Sequence, residues 1–292
     1  MPHRMFVSVE YQGDGSDQPD WQAAQKTVEL LRKHQKKPFF IATGFVRPHY
    51  PNVAPTQYFE KYPFDKMPLP KVIKNDLKDI PKPGLSKTMS KTSGISKWPA
   101  NQQRMWSAYY ATVTYMDDQL GKVLDELDRL KLTDTTAIVF ISDHGYHLGE
   151  HQFWQKSNLH EEVTRVPMII AAPGMPSGKT TSPAELMDLY PTLCGLLDLP
   201  IPKTVQGKSL VPVLKDPKVR VRKAALSLVN GHHSLRGERW AYMRYRSGEE
   251  ELYDMDQDPG QFDNLAKDAE VEDQRKQMRT LLDQRLAEAT KK

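Results

Sequence analysis

The sequence predicts an α/β fold, in which helices connect and cover the strands of a sheet. Two short apolar runs, at 136–141 and 167–172, are rich in β-branched residues and have the length of buried strands. Ahead of them, the stretch 101–131 carries apolar residues at helical spacing on one face and acidic residues on the other. The order strand, long helix, strand, short helix is typical of an α/β protein with a largely parallel sheet.

The amino-terminal part supplies the first elements of this order. After a polar, glycine-rich loop at 13–17, apolar residues recur at helical spacing over 20–37, and the helix they predict ends in basic residues. The run 39–45, which is bounded by prolines, has the composition of a buried strand. Residues 47–99 hold nine prolines and little periodicity, and so long a loop is usually a functional surface.

A shorter helix is predicted from Ser182 through Leu197, because Ser182-Pro183 makes a good N-cap and first helical position. The single cysteine, Cys194, lies on the apolar stripe of this helix and is predicted to be a core residue. One cysteine excludes an internal disulfide framework and a zinc site built from several cysteines. The main α/β domain is predicted to span residues 1–205.

The pattern of the sequence changes after residue 205. Three short segments typical of strands precede a charged helix, which is predicted over 268–289. The segments are 223–229, 239–246 and 251–254. We interpret residues 206–292 as a small α+β subdomain that packs on the main sheet.

Composition excludes several classes of protein. With 38% hydrophobic and 27% charged residues, the chain is not collagen-like, a coiled coil or wholly disordered. The net charge of +4 is too small and too evenly spread to indicate a nucleic-acid partner. No apolar run approaches the roughly 20 residues of a membrane span, and residues 1–10 lack the apolar segment of a signal peptide.

The densest group of chemically useful side chains follows the strand at 136–141. Asp143 and His144 stand directly after it, and the segment 144–151 holds three histidines and an acid. Ligands of open α/β sheets bind at the carboxyl ends of strands, so this segment is a candidate site. A carboxylate beside an imidazole could ligate calcium, which takes roughly six to eight oxygens, or a transition metal, which accepts more imidazole. A hydrated polar loop is the alternative.

A second candidate is the segment 47–51, which reads RPHYP. Its two prolines restrict the turn and would hold the ring of His49 in a fixed direction. A histidine held in this way can donate a proton to a leaving group near neutral pH. The alternative interpretation is that His49 only caps a turn.

Four blocks of the chain resemble the sulfatase family, in the family's order, between about residues 19 and 266. The block at 142–156, SDHGYHLGEHQFWQK, resembles the family's second signature. The others are KPFF at 37–40 with RPHYP at 47–51, LMDLYPTL at 186–193, and ELYD at 251–254 with DPG at 258–260 and NLA at 264–266. The segments KPFF at 37–40 and RPHYP at 47–51 are similar to the iduronate-2-sulfatase branch in particular.

The resemblance implies an alkaline-phosphatase-like α/β fold that hydrolyses the sulfate esters of sulfated glycans such as glycosaminoglycans. Asp143 and His144 match a pair of metal ligands, usually for calcium. Lys156 matches the lysine that contacts the sulfate, and His49 matches the histidine that contacts the sulfate and protonates the departing alcohol. A cation and two basic side chains would neutralise the charge that develops on a transferring sulfuryl group.

Other residues of the block at 142–156 match the family pattern less specifically. Tyr146 and His147 lie where the loop could contact the sugar. Glu150 and His151 are expected to brace the loop through hydrogen bonds. Family members are mostly periplasmic, secreted or lysosomal, but the sequence itself does not assign a compartment.

One part of the family pattern is missing from these residues. Sulfatases use a formylglycine made from the first residue of a Cys/Ser-x-Pro/Ala-x-Arg motif, and no such motif occurs here. Neither Cys194 nor Ser182 stands in that context. The family's amino-terminal acidic pair is also absent, so the chain is expected to be the carboxyl-terminal part of a sulfatase, with a truncated fold and a partial calcium site.

Several interpretations of the missing motif stay open. The chain could be a fragment of an enzyme, and as such inactive in isolation. It could be a non-catalytic relative that binds sulfated glycans, or half of a protein that a separately encoded amino-terminal segment completes. A phosphodiesterase or phosphonate hydrolase of the alkaline phosphatase superfamily would share the metal ligands.

Overall fold

A computed structural model describes residues 6–290 of the chain. They separate into two compact units. The first comprises the residues up to Lys71 together with Ser90–Thr136, and the second comprises Val72–Met89 together with the residues from Ala137 onward. The predicted subdomain 206–292 falls within the second unit. The prediction that residues 1–10 lack a signal peptide includes residues 1–5, which lie outside the described part.

The first unit is built on two packed helices. Its elements are β1 (Ser8–Tyr11), α1 (Pro19–His34), β2 (Asn52–Pro55), α2 (Thr56–Phe59), α3 (Ser90–Ser93) and α4 (Pro99–Arg129). Strands β1 and β2 pair in parallel, and α1 packs on α4. A small core joins β2, α2 and α4 through Ala54, Tyr58, Ala111 and Tyr115. The predicted helices over 20–37 and 101–131 are thus confirmed as α1 and α4.

The second unit carries the remaining elements. They are β3 (Ile138–Ile141), β4 (His147–Leu148), β5 (Trp154–Gln155), α5 (Glu161–Thr164), β6 (Met168–Ala171), α6 (Leu189–Leu196), α7 (Val211–Lys215), β7 (Ala225–Val229), β8 (His232–Arg236), β9 (Trp240–Arg244), β10 (Glu250–Asp254) and α8 (Glu272–Thr290). Cys194 is buried in α6, as predicted.

The carboxyl-terminal half of this unit is an antiparallel sheet covered by a helix. The strand order is β10-β9-β8-β7. One face of the sheet packs on α8 through a core that includes Leu235, Tyr242, Leu252, Met278 and Leu282. Burying large apolar side chains between a sheet and one helix is what makes such a small layer stable. The three predicted strands and the charged helix are confirmed.

Three expectations about regular structure were wrong. The described residues form four separate sheets, in which β1 and β2 pair in parallel whereas β3 and β6 pair antiparallel, so the strand pairing is not largely parallel. Residues 39–45 form no strand. The helix predicted from Ser182 starts later, at a capping box in which the Glu185 and Asp188 side chains and backbone N–H groups bond reciprocally.

Candidate functional site

The loop after β3 places the first two candidate residues side by side. The Asp143 carboxylate accepts a hydrogen bond from the backbone N–H of His144 at 2.9 Å, and the Ser142 hydroxyl donates to the His144 carbonyl at 3.0 Å. These local bonds close a tight turn, because short polar side chains can replace ladder partners where a strand ends. The Asp143 side chain is 84% exposed, so its carboxylate is open to a ligand.

Gly145 holds this turn against α5. Its backbone N–H donates to the Val163 carbonyl at 2.8 Å, and the N–H of Tyr146 donates to the Glu162 carbonyl at 2.8 Å. A Cβ on residue 145 would lie 1.9 Å from the Glu162 carbonyl oxygen. Only glycine therefore allows this close approach of two backbone segments.

The hydrogen bonds of His144 determine which ring nitrogen is available. Nδ1 lies 2.9 Å from the Gly145 carbonyl oxygen, which can only accept, so Nδ1 carries the proton. Nε2 is then an acceptor, and Lys156 Nζ donates to it at 2.6 Å, while an Asp143 carboxylate oxygen lies 3.5 Å from it. The structure thus brings Asp143, His144 and Lys156 together. The Asp143 carboxylate and the Lys156 ammonium group both lie next to Nε2 of His144.

A short hairpin fixes the position of Lys156. Strands β4 and β5 pair antiparallel, with Leu148 opposite Trp154, and Lys156 follows β5 directly. Trp154 is 1% exposed and anchors the hairpin. The Leu148 N–H donates to Glu150 at 2.6 Å, which confirms that Glu150 braces the loop. The ammonium group is therefore held on an ordered support.

The donor set fits a metal only in part. The Nδ1 of His144 bonds a backbone carbonyl, as is usual for a ligating histidine, and Nε2 lies beside a carboxylate, but Nε2 accepts from Lys156 Nζ, which a metal ion would have to displace. However, among residues 6–290 no three His, Cys, Asp or Glu side chains form a group that could hold a metal ion. Asp143 and His144 could therefore supply a fraction of a coordination shell.

Beneath the hairpin lies a buried cluster of three histidines, which we call the histidine cluster: His147, His151 and His160. Each is at most 1% exposed, and their ring centroids are 5.0 to 6.2 Å apart. Asp76 accepts a hydrogen bond from His151 Nδ1 at 3.1 Å, and Glu251 lies 3.3 Å from His160 Nε2. The bond from His151 confirms its bracing role.

The burial of His147 changes its expected role. Its side chain has no exposed surface, its Nε2 contacts the Asn158 amide at 2.8 Å, and its ring packs edge-on against Phe153. A ring so placed does not fit the predicted sugar contact, and we treat His147 as a positioning residue under the loop. Tyr146 is only half-buried, so a sugar contact by Tyr146 stays a prediction.

The histidine cluster makes stability depend on pH. Burial, aided by the neighbouring His160, lowers the pKa of His147 well below its usual value. Burial also opposes protonation of His151, but its hydrogen bond and charge interaction with Asp76 outweigh that effect and raise its pKa. Glu150 and Glu162 also face His147, at 3.9 and 3.8 Å from Nδ1. His147 stays neutral in the fold where the unfolded chain would protonate it.

We expect acid to destabilise the chain through His147. Below a pH of about 6.5 only the unfolded chain gains this proton, so stability falls by up to about 1.4 kcal/mol per pH unit. His151 acts oppositely, since its contribution is lost as pH rises through its raised pKa. Thermal melts between pH 7 and pH 5 should show a smaller loss for His147→Gln than for the wild type. The matched change His34→Gln should keep the wild-type slope, and an equal slope in all three proteins would contradict this assignment.

His49 belongs to the first unit, in a loop that Asp20 anchors. The carboxylate of Asp20, which is 1% exposed, accepts hydrogen bonds from the N–H groups of Val46 at 2.6 Å and Arg47 at 3.0 Å. The exposed His49 ring stacks on Tyr50, with centroids 4.6 Å apart, and its Nδ1 donates to the Tyr50 carbonyl at 2.6 Å. Nε2 is therefore the ring nitrogen available to a ligand.

Sequence reasoning missed two of these anchoring acids. Asp20 was assigned only to a helix, and Asp76 lay in a loop without periodicity. Neither has a local signal, because the partner of each is more than 20 positions away.

Comparison with known proteins decides the family. The family profile described as Sulfatase matches residues 6–199, and a profile described as N-sulphoglucosamine sulphohydrolase, C-terminal, matches residues 149–289. The chain belongs to the sulfatase family. The predicted family and the alkaline-phosphatase-like fold are thereby confirmed for this sulfatase chain.

Individual relatives agree with this membership. The chain is 34% identical to a sulfatase of Formosa agariphila over 90% of its own length and 53% of the relative's. It is 32% identical to iduronate 2-sulfatase of Mus musculus over 63% of its length and 40% of that enzyme's. The sulfatase chain thus spans about half the length of the curated relatives it matches.

Solved structures show the same fold. One, a protein in complex with its substrate D-glucosamine-2-N,6-O-disulfate, has a TM-score of 0.77 at 21% identity, covering 92% of this chain and 69% of its own. The phosphonate monoester hydrolase of Agrobacterium radiobacter has a TM-score of 0.80 at 23% identity, over 99% and 64% of the two chains. No helix among residues 6–290 is both long and apolar enough to cross a membrane.

Proposed function

We propose that Asp143, His144 and Lys156 form part of a site for the sulfate group of a sulfated sugar, in a protein that hydrolyses sulfate esters. The contact of Lys156 Nζ with His144 Nε2 at 2.6 Å, beside the Asp143 carboxylate, supports this most directly. An ammonium group can bind a sulfate oxygen through a charge-assisted hydrogen bond. The family membership supplies the reaction class.

The residues of this chain would act as follows. Lys156 would hold one sulfate oxygen and offset the charge that develops there as the S–O bond breaks. His49 donates from Nδ1 to a backbone carbonyl, so it would act as the imidazolium, giving its second proton from Nε2 to the departing alcohol oxygen and remaining as the neutral ring. Calcium, bound with Asp143 and His144 as two of its ligands, would add a fixed positive charge near the sulfate.

The nucleophile is the part that these residues do not supply. The sequence contains no Cys/Ser-x-Pro/Ala-x-Arg motif, from which the family's formylglycine is made. Charge stabilisation does not replace a nucleophile. We therefore expect the purified 292-residue chain to release sulfate from nitrocatechol sulfate only at the background rate, whether or not calcium is added. Sustained release that disappears in Lys156→Ala would contradict this.

The sulfated sugar is the preferred ligand, and binding tests that choice. A protein of this fold was solved with a sulfated glucosamine as its substrate, whereas phosphonate monoester hydrolases share the fold and support the alternative. Isothermal titration of the chain with glucosamine 6-sulfate, glucosamine and phenylphosphonate, each with calcium, separates the two. Tighter binding of glucosamine 6-sulfate supports the proposal; equal binding of unsulfated glucosamine, or tighter binding of phenylphosphonate, overturns it.

The iduronate-2-sulfatase-like branch and the compartment are further proposals. The RPHYP segment at 47–51 supports the branch, although identity to the mouse enzyme is no higher than to the Formosa agariphila sulfatase. Membership of the family favours a periplasmic, secreted or lysosomal location.

A further inference from the structure

The first unit contains a cleft that the proposed reaction does not use. Its volume is about 680 Å³, and it lies beside β1 and the amino-terminal end of α4. We call it the Trp98 cleft. Its polar and aromatic lining includes Ser93, Lys97, Trp98, Asn101 and Arg104. A cleft of this volume is large enough for a sugar residue of a glycan.

The charge of the Trp98 cleft is positive and unbalanced. Lys97 and Arg104 line it, and no carboxylate among the described residues does. Neither cation forms an ion pair with a carboxylate in residues 6–290. The positive end of the 31-residue helix α4 adds to this potential.

A second cleft, in the other unit, shows the contrast. It has a volume of about 620 Å³ and is lined by several arginines, including Arg220, Arg222 and Arg285. Each of these three pairs with a carboxylate, whereas Lys208 and Lys223, which also line it, form no ion pair among the described residues. The second cleft has two carboxylates and no aromatic side chain in its lining, so the Trp98 cleft is the one that combines unpaired cations with an aromatic surface.

The aromatic side chain fits a sugar ring. Trp98 is 62% exposed although it is large and apolar, and its indole offers a flat face to the apolar C–H face of a pyranose. Trp98, Asn101 and Arg104 follow at intervals of three residues, so they lie on one side of the start of α4. The Arg104 guanidinium carbon lies 3.7 Å from the centroid of Phe64, which holds the group in place by a cation–π contact.

We propose that the Trp98 cleft binds a sulfated sugar residue of a glycan. The indole stacks on the sugar ring, Arg104 and Lys97 bind the sulfate oxygens, and the Asn101 amide bonds a hydroxyl. The choice of a sulfated over a carboxylated sugar rests on the proposed function. The existence of an anionic sugar site rests on the cleft itself.

The test separates this cleft from the site at Lys156. In a Lys156→Gln background, the chain is titrated with a sulfated heparin-type disaccharide, and binding is followed by calorimetry and tryptophan fluorescence. We expect binding to persist, and Trp98→Ala or Arg104→Gln to weaken it about tenfold. Lys97→Gln should weaken it less, and Lys33→Gln, an exposed lysine in α1 of the same unit, should leave it unchanged. Circular dichroism confirms that these surface variants fold.

Each other outcome counts against the cleft. No binding in the Lys156→Gln background, or wild-type affinity in Trp98→Ala and Arg104→Gln, overturns it and leaves the proposed function untouched. The fully desulfated disaccharide keeps its uronate carboxylate, so equally tight binding of that form overturns the choice of sulfate. Equally tight binding of a desulfated disaccharide whose carboxyl group is also reduced overturns the anionic site itself.

Discussion

In a Trp98→Ala background, which removes the proposed second site for sulfated sugars, replacing Lys156 by glutamine is expected to weaken the binding of glucosamine 6-sulfate at least tenfold. A hydrogen bond to a charged group contributes about 1.5–3 kcal/mol, which corresponds to roughly ten- to one-hundred-fold in affinity. Glutamine keeps most of the side-chain volume but removes the charge. Lys156 is half-buried and follows an anchored hairpin, so the loss is not compensated by a neighbouring flexible lysine. Isothermal titration in calcium measures the change.

The matched control for this prediction is Lys179→Gln, an exposed lysine in a loop of the same unit. It removes the same charge from the same unit, so it should change the affinity less than twofold. Lys156→Arg retains the charge, and we expect it to recover part of the affinity, because guanidinium also binds sulfate oxygens. Equal affinities for the Trp98→Ala chain with and without Lys156→Gln would remove Lys156 from the sulfate site.

Periodicity was sufficient to predict the long elements. The stripes of α1, α4 and α8 span several turns, and each of these helices is present close to its predicted bounds. Short runs were less reliable. Residues 39–45 have a strand-like composition, but the N–H groups that follow at Val46 and Arg47 bond to the Asp20 carboxylate instead of a strand.

Pairing direction and one strand escaped the sequence analysis for different reasons. The antiparallel pairing of β3 with β6 depends on how the segment 142–167 returns the chain, which composition does not encode. Strand β8 had a usable signal, since Asn230 and Gly231 both have positive φ and form a two-residue turn between β7 and β8. Asn-Gly between two apolar runs is typical of such hairpins.

The candidate site likewise contains residues whose proximity the sequence could predict and residues whose proximity it could not. Asp143, His144 and Lys156 are close in sequence, so their meeting could be predicted from one motif. The buried partners of the histidine cluster could not, because Asp76 and Glu251 are distant in the chain and each comes from a different segment. A histidine's burial, and with it the difference between contacting a ligand and supporting a loop, depends on such long-range packing.

Replacing Arg222 by methionine is expected to destabilise the second unit by about 3–5 kcal/mol. The Arg222 guanidinium makes two hydrogen bonds to the Asp188 carboxylate and lies 3.4 Å from Glu185. The three side chains are 2%, 0% and 6% exposed. Removing the cation leaves Asp188 buried with its charge, whereas Glu185 retains Arg285 at 2.9 Å. Urea denaturation followed by far-ultraviolet circular dichroism measures the loss.

Arg220 provides the control, because it lies two residues away and pairs with Glu238 at the surface. Those side chains are 37% and 50% exposed, and surface ion pairs contribute only about 0–1 kcal/mol. Arg220→Met should therefore lower the free energy of unfolding by less than about 1 kcal/mol. Asp188→Asn in the Arg222→Met background should restore part of the stability, since it removes the unpaired charge, while its single amide oxygen accepts from only one of the Lys208 and Glu185 N–H groups. Equal losses for Arg220→Met and Arg222→Met would show that burial does not set the energy of this pair.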